Sequence, residues 1–298
     1  WRNFQGDQQP WSTMLTLHSD ILLRELINED ANLLVGAWQK YGSEGLRELS
    51  SFPSTDTQVA ALLNAVHGAS SARDEGSFFG GLLAVRFGPD GLRNHVITLL
   101  TRIKEGRIRN SDHTLFDALL YIAVCHAFGI PGIDENVLAD LVGVPREWVQ
   151  TLVVNPLGEE AAAVRNAGHV LTRHDKVAAA VVVAAEQYLD ADIAEIWSAI
   201  VGQTVQTSLN GGVTRQTHSK IIHAGPRLQN ELPKQFTKKR RVEIATIVAK
   251  ASVKALPERL DCVVDLGKTY RIAGDFAAAA QLFRENLDIA PRKIDYLE

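Results

Sequence analysis

The segment from Gly168 to Asp175 constrains the fold of this chain most, because a short strand pattern runs directly into a long apolar helix. Residues 168–172 have the composition of a short strand, and an apolar helix is predicted over 176–189. His174 is thereby expected where a strand becomes a helix. An imidazole there can donate a hydrogen bond to an anion if the local field favours protonation. This placement favours a sensing role over a nucleophilic one.

Two short helices are predicted upstream of this segment, after a long helix over 112–128. Residues 134–141 begin with acids of the capping type and carry apolar residues at helical spacing. Gly143 supplies a permissive backbone for a tight turn, and Pro145 opens the next helix, which is expected to end near Val153.

The remainder of this region is predicted to be a loop followed by a strand. Asn155-Pro156-Leu157-Gly158 is expected to break the second short helix, 159–167 is a polar stretch with small residues, and 168–172 returns as a strand. Three helices followed by a β-wing are typical of a winged-helix domain. In such a domain a DNA-binding helix needs basic and polar side chains, whereas 145–153 has one arginine, Arg146, beside Glu147. The charge pattern favours intramolecular packing, with DNA contact as the alternative.

The motif Arg173-His174-Asp175, at the end of this region and ahead of an apolar helix, resembles the Met-His-Asp motif of STAND-class P-loop ATPases. This family includes plant resistance proteins, the apoptosome scaffold and bacterial antiphage sensors. Arginine replaces the family's methionine here. The resemblance implies that His174 contacts the β-phosphate of bound ADP and holds the switch closed, with Arg173 and Asp175 beside it. The alternative is that His174 caps a helix or bonds a buried carbonyl group.

The last part of the chain matches the tetratricopeptide pattern. Val263 stands where tryptophan is common, and Asn286 stands where alanine is usual. One repeat cannot bury its own faces, so the chain is expected to end within an array. The matching positions are Leu266, Gly267, Tyr270, Gly274, Ala279, Phe283 and Pro291.

The resemblance implies a mostly α architecture of four parts: a helical lid bundle at 1–108, a winged-helix domain with a small β-wing at 109–190, a helical arm at 191–256 and a first tetratricopeptide-type repeat at 257–298. The chain starts at Trp1 without a signal pattern, so it is expected to be a piece of a longer protein.

No phosphate-binding loop is visible in the sequence. The segments 79–82 and 87–91 contain glycines but lack a following Lys-Ser or Lys-Thr. The ATPase core, with its Mg²⁺, is therefore expected outside this sequence, and no catalytic residue is assigned. Arg86 is a surface arginine or a polar contact in the lid.

The composition of the chain indicates its cellular compartment and the partners that it is expected to lack. Cys125 and Cys262 both lie in apolar helical patterns, which indicates free thiols in a reducing compartment and hence the cytoplasm. The longest apolar run, 177–185, is too short to cross a bilayer. A net charge of −4 provides no broad electrostatic footprint for nucleic acid, so such contact is not expected.

The histidines do not form a metal site. His126, on an apolar helix, is predicted to be a hydrogen-bonded core residue, and the pairs His169 with His174 and His218 with His223 lack further ligands. We predict no metal.

Two further segments of the arm have specific expectations. Gly211 and Gly212 begin a predicted hinge that extends to Pro226. Thr237 is predicted to cap a helix, and the basic run 238–241 after it is interpreted as the start of that packed helix, with nucleic-acid or anion binding as the alternative.

Three functions are compatible with the sequence. The favoured one is the regulatory half of a STAND ATPase that holds ADP, exchanges it for ATP and self-assembles into a homo-oligomer when the repeats bind a protein trigger. In bacterial members the trigger is often a phage protein, which implies antiphage defence. The alternatives are a winged-helix transcriptional regulator with a helical-repeat sensor, and a tetratricopeptide-type protein-interaction scaffold.

Overall fold

The described part of the chain is mostly helical, which confirms the prediction of a mostly α fold. The chain divides into two compact units, Trp1–Leu92 and Arg93–Glu298. None of the helices described has the length and apolar character that a membrane crossing requires. The domain boundaries expected from the sequence remain predictions. A computed structural model describes residues 27–41, 49–68, 94–130, 132–157, 163–166, 168–172 and 175–286.

The sequence predicts amphipathic helices over 31–49 and 57–66, and the first unit contains α1 (Asn28–Tyr41) and α2 (Thr55–Gly68) there. Leu34 and Trp38 of the predicted apolar face pack against the core, beside the buried Ala31 and Val35. Leu33 and Tyr41 of that predicted face are 73% and 74% exposed. Arg86 and the glycine-containing segments 79–82 and 87–91 lie outside the described residues. The core residues are Ala31, Val35, Leu49, Val59 and Leu62.

The second unit begins with helix α3 at 94–104 and the buried helix α4 (Leu115–Ala127). α4 starts after the predicted residue 112 because Thr114 is its N-cap, and Thr114 and Asp117 form a reciprocal capping box.

Next come β1 (Ile133–Asp134) and α5 (Glu135–Leu141), which is capped by the Asp134 side chain as its acidic start predicted. Gly143, with φ +66°, closes the following turn. The predicted second short helix is irregular: a 3₁₀ turn at Arg146–Trp148 leads into a π-helical stretch at Gln150–Val154. Helical structure continues through Leu157, so the break predicted from Asn155 is wrong.

A three-stranded antiparallel sheet with the order β1-β3-β2 is completed by β2 (Ala163–Asn166) and β3 (His169–Thr172). β3 was predicted, whereas β2 falls in the predicted loop 159–167. The sequence Ala-Val-Arg-Asn has little strand preference of its own, and pairing with β3 decides its conformation.

Two long helices follow the sheet: α6 (Asp175–Tyr188) and α7 (Ile193–Leu209). α6 packs against α4, and its predicted apolar character matches a row of buried alanines and valines. α7 is capped by Asp192, whose carboxylate accepts hydrogen bonds from the amides of Ala194 and Glu195.

The arm continues as α8 (Arg215–Ile222), α9 (Gly225–Glu231) and α10 (Lys238–Ala255). Most of the predicted break from Gly211 to Pro226 is therefore helical. Thr237 caps α10, as predicted.

The last described elements are a helical hairpin, α11 (Leu260–Ala273) and α12 (Phe276–Glu285). Gly274 ends α11 in the left-handed conformation with φ +84°. A methyl group at Gly267 would overlap the Phe283 ring, so the glycine permits the close packing of the two helices. Pro291 lies outside the described residues.

We expect Gly267→Ala to lower the free energy of unfolding by about 1 kcal/mol, although alanine is the better helix former. The added methyl group forces the half-exposed Phe283 ring outward, which is a modest cost. The matched control is Gly202→Ala in α7, where nothing lies within 4 Å of the new methyl group. In denaturant unfolding, the free energy of unfolding should fall for Gly267→Ala and rise for Gly202→Ala. Two losses of equal size would contradict the close packing of Gly267 on Phe283.

Candidate functional site

The predicted site lies at the junction between β3 and α6. β3 is the central strand, with Val170 opposite Ile133 of β1 and Thr172 opposite Ala163 of β2. β3 ends at Thr172 and α6 begins at Asp175. The two predicted cofactor-binding residues that connect them, Arg173 and His174, lie outside the described residues, as does the side chain of Asp175.

One face of β3 is attached to α4. Thr172 is fully buried, and its Oγ1 lies 2.5 Å from Nδ1 of His126 near the end of α4. His126 was predicted to be a hydrogen-bonded core residue; the hydrogen bond is present, and the residue is half-buried rather than fully buried. The last residue of β3 is therefore held in place two residues before His174.

The other face of β3 is attached to α8. Side chains alternate between the faces of a strand, so His169 points away from Thr172. Its Nε2 lies 3.0 Å from Oγ1 of Thr217, which is 6% exposed. Sequence reasoning missed Thr172 and Thr217. Strand alternation indicates that His169 and Thr172 use opposite faces, but it does not identify their partners.

The approach of the chain to β3 depends on Gly132. This residue has φ +125°, and a Cβ atom there would lie 2.6 Å from the carbonyl oxygen of Val170. The contact is with backbone of the central strand rather than with a side chain that can rotate away. Position 132 therefore requires glycine.

The predicted hinge at Gly211-Gly212 is a fixed turn. Nδ2 of Asn136 donates to the carbonyl oxygen of Gly212 at 2.5 Å, and Oγ1 of Thr207 donates to Asp140 at 2.6 Å. Asn136 and Asp140 are one turn apart on α5. These contacts fasten the α7–α8 turn to α5, which contradicts a hinge at this point.

The basic run at the start of α10 does not present four free cations. Arg240 donates from Nε to Glu186 at 2.7 Å and from a terminal nitrogen to Asp192 at 3.0 Å, and it lies 3.2 Å from Glu243. The hydrogen bond that Arg240 donates to Glu186 is the main cause that raises the pKa of Arg240 above its usual value. Arg240 therefore joins α10 to the α6–α7 junction, as expected of a packed helix with a basic start.

His223 connects α8 to α11. Its Nδ1 lies 2.6 Å from Asp265, and its Nε2 lies 3.7 Å from Asp261. Burial is the main cause that lowers the pKa of nearby His218, with Arg259 and His223 contributing. Across the described ranges, no group of three His, Cys, Asp or Glu side chains is arranged to hold a metal ion.

Both cysteines are buried free thiols, as their apolar surroundings predicted. Burial is the main cause that raises the pKa of Cys262 to about 12. A group with so little thiolate at neutral pH is a packing residue rather than a nucleophile.

A cleft of about 540 Å³ lies between α4 and the α6–α7 turn. Lys104 is the only cationic side chain in its lining, which also contains four acidic side chains. A phosphate group would be repelled here, so this cleft is not a nucleotide site. The acidic lining residues are Asp117, Asp190, Asp192 and Glu195.

The helical segment 146–157 shows an aromatic rather than a cationic surface. Trp148 is 46% exposed, while Arg146 lies 3.7 Å from the buried carboxylate of Glu135. Arg146 is the only arginine of this segment that could contact the phosphates of DNA, and it lies next to a carboxylate.

The chain matches no protein-family model, no curated protein and no solved structure. Function therefore has to be inferred from the residues around the β3–α6 junction.

Proposed function

We propose that this chain is the regulatory and sensing part of a STAND-class ATPase switch, in which 109–190 is a winged-helix domain that holds ADP through His174. The element order supports a winged helix: α4, β1, α5 and the helical segment 146–157 precede the β2–β3 hairpin, and β1 joins its sheet beside β3. The main support for the switch is that Arg173 and His174 connect the last strand to α6. That is where the resembling motif lies in the family.

The chemistry of this position suits a phosphate. The first turn of a helix carries amide groups without intrahelical partners and a partial positive charge, both of which favour anions. His174 precedes α6 directly and, when protonated, would add a charge-assisted hydrogen bond to the β-phosphate of ADP. Arg173 would add a second cation where the family has methionine. Magnesium and the hydrolytic residues belong to the ATPase core, which this sequence does not show.

Switching requires two states with different affinities for the nucleotide. In the resting state ADP contacts His174, and the repeat hairpin α11–α12 would belong to the array that binds a protein trigger, such as a phage protein. Trigger binding would favour the state without the ADP contact, in which ATP enters and the protein self-assembles in the cytoplasm. The helical hairpin and the close packing of Gly267 on Phe283 support a tetratricopeptide-type repeat.

The DNA-binding alternative has less support from the described residues, because Arg146 lies beside Glu135. The exposed Trp148 suits a protein contact better, since aromatic side chains are enriched at protein interfaces. The other alternative is an interaction scaffold that binds no nucleotide. In that case His174 has no ADP contact, so the role of His174 distinguishes the scaffold from the proposed switch.

The test is the nucleotide content of the natural protein at its full length, compared with His174→Ala. We expect the wild type to carry ADP and the variant to release it about tenfold faster, because one charge-assisted hydrogen bond is lost. The matched control is His113→Ala, whose side chain is exposed near the start of α4. Chromatography of released nucleotide provides the readout. Absence of nucleotide from the wild type, or equal release from all three proteins, would overturn the proposal.

A further inference from the structure

We infer that Thr217 is a positioning residue for the nucleotide switch: through His169 it fixes strand β3 and thereby couples the helical arm to His174. The coupling rests on the function proposed above for His174. The 3.0 Å contact between Nε2 of His169 and Oγ1 of Thr217 is the point where the arm meets the strand.

β3 is suited to transmit a displacement. It has four residues and is hydrogen-bonded on both edges, to β1 and to β2. A strand held in this way moves as one piece, because an internal slip would reverse the faces of its side chains. His169 is its first residue and Thr172 its last, directly before Arg173. Loss of the contact at the His169 end is therefore expected to loosen the strand that directly precedes residues 173 and 174.

The opposite face of β3 is attached to α4. Thr172 contacts His126 of α4, a helix buried along most of its length. The strand is thus held at its last residue by α4 and at its first residue by α8. The second attachment leads through α8 to the repeat hairpin.

α8 connects this attachment to the repeat hairpin. Thr217 lies in its first turn, where the Thr214 side chain accepts a hydrogen bond from the Thr217 amide. His223, at its other end, contacts Asp265 and Asp261 of α11. A displacement of α11 would reach β3 through one eight-residue helix with a histidine contact at each end. The contacts of Thr217 and His223 thus form a contiguous path from α11 to β3.

The experiment uses the natural protein at its full length with Thr217→Val, which keeps the side-chain shape and removes the hydroxyl group. We expect hydrogen exchange at the β3 amides and release of ADP both to become about fivefold faster, since the Thr217 hydroxyl group loses its contact with His169 and the hydrogen bond that it accepts from Thr214. Thr217→Ser keeps the hydroxyl group and should behave as the wild type. In a His174→Ala background, Thr217→Val should still accelerate exchange in β3 but should not accelerate ADP release further.

Two controls separate coupling from general loss of structure. Thr237→Ala removes the cap of α10 and leaves the contacts of the Thr217 hydroxyl group in place, so its effect on exchange should be confined to the first turn of α10. His169→Leu removes the contact from the strand side. It should reproduce the effect of Thr217→Val on ADP release, and it replaces that variant if the latter does not fold.

The failures are distinguishable. If His174→Ala loses ADP while Thr217→Val and His169→Leu leave ADP release unchanged, whether or not β3 exchange becomes faster, the coupling is overturned and the ADP contact stands. If the wild type carries no nucleotide, the proposed function is overturned and the role of Thr217 in it falls too. Additive effects of Thr217→Val and His174→Ala on ADP release would also overturn the coupling.

Discussion

Gly132→Ala is expected to lower the free energy of unfolding by about 3 kcal/mol or more, from backbone strain together with a steric overlap. The residue has φ +125°, a conformation that residues with a side chain rarely adopt. The new Cβ atom would lie 2.6 Å from the carbonyl oxygen of Val170. That oxygen belongs to the central strand, which its two neighbours hold in place. Relief of the clash would therefore require movement of the whole sheet.

Gly143→Ala is the control that measures the cost of a positive φ without the steric overlap. Gly143 also has a positive φ, +66°, but the nearest atom to its added Cβ would be Oγ of Ser111 at 3.8 Å. Its expected cost is about 1 kcal/mol, that of one residue in the left-handed region. Denaturant unfolding of both variants measures the difference. Equal destabilisation would show that the close approach of Gly132 to β3 is absent in solution.

Arg240→Met should lower the free energy of unfolding by about 2 kcal/mol. The cost is smaller than that of breaking a fully buried ion pair and larger than that of breaking a surface ion pair. The Arg240 and Glu186 side chains are 23% and 16% exposed. Methionine keeps the apolar stem of the arginine, so the loss reports on the ionic contacts. Without Arg240, Glu186 would be left in a half-buried place without its cation, and α10 would lose its attachment to the α6–α7 junction.

Lys239→Met is the matched control, because the neighbouring lysine is exposed and lies in the same basic run. It should change stability by less than about 0.5 kcal/mol. A comparison of unfolding at low and high salt adds a second readout, since a partly buried pair is screened less than surface charges. Equal effects of the two substitutions would mean that the start of α10 is a solvated basic face.

Local signals in the sequence predicted many of the elements. Asp134 and Thr237 indicated where two helices start, because the side chains of both residues can accept hydrogen bonds from the free amides of a first turn. Gly143 indicated a turn, and its φ is positive there. These features depend on a few neighbouring residues and can be predicted from them.

Features set by distant partners could not be predicted in this way. β2 depends on pairing with β3, and the turn at Gly212 depends on a hydrogen bond from Asn136, 76 residues earlier in the chain. A pair of glycines suggests freedom of the backbone, but the amide of Asn136 removes that freedom. The contacts of Thr172 and Thr217 likewise join segments that are far apart in sequence, and no short pattern contains both partners.

The most direct test of the ADP contact is a cryo-electron microscopy structure of the natural protein at its full length, purified without added nucleotide. We expect ADP to be present, with a β-phosphate oxygen about 3 Å from a ring nitrogen of His174. A structure without ADP, or with the phosphates of ADP held away from His174, would contradict the account.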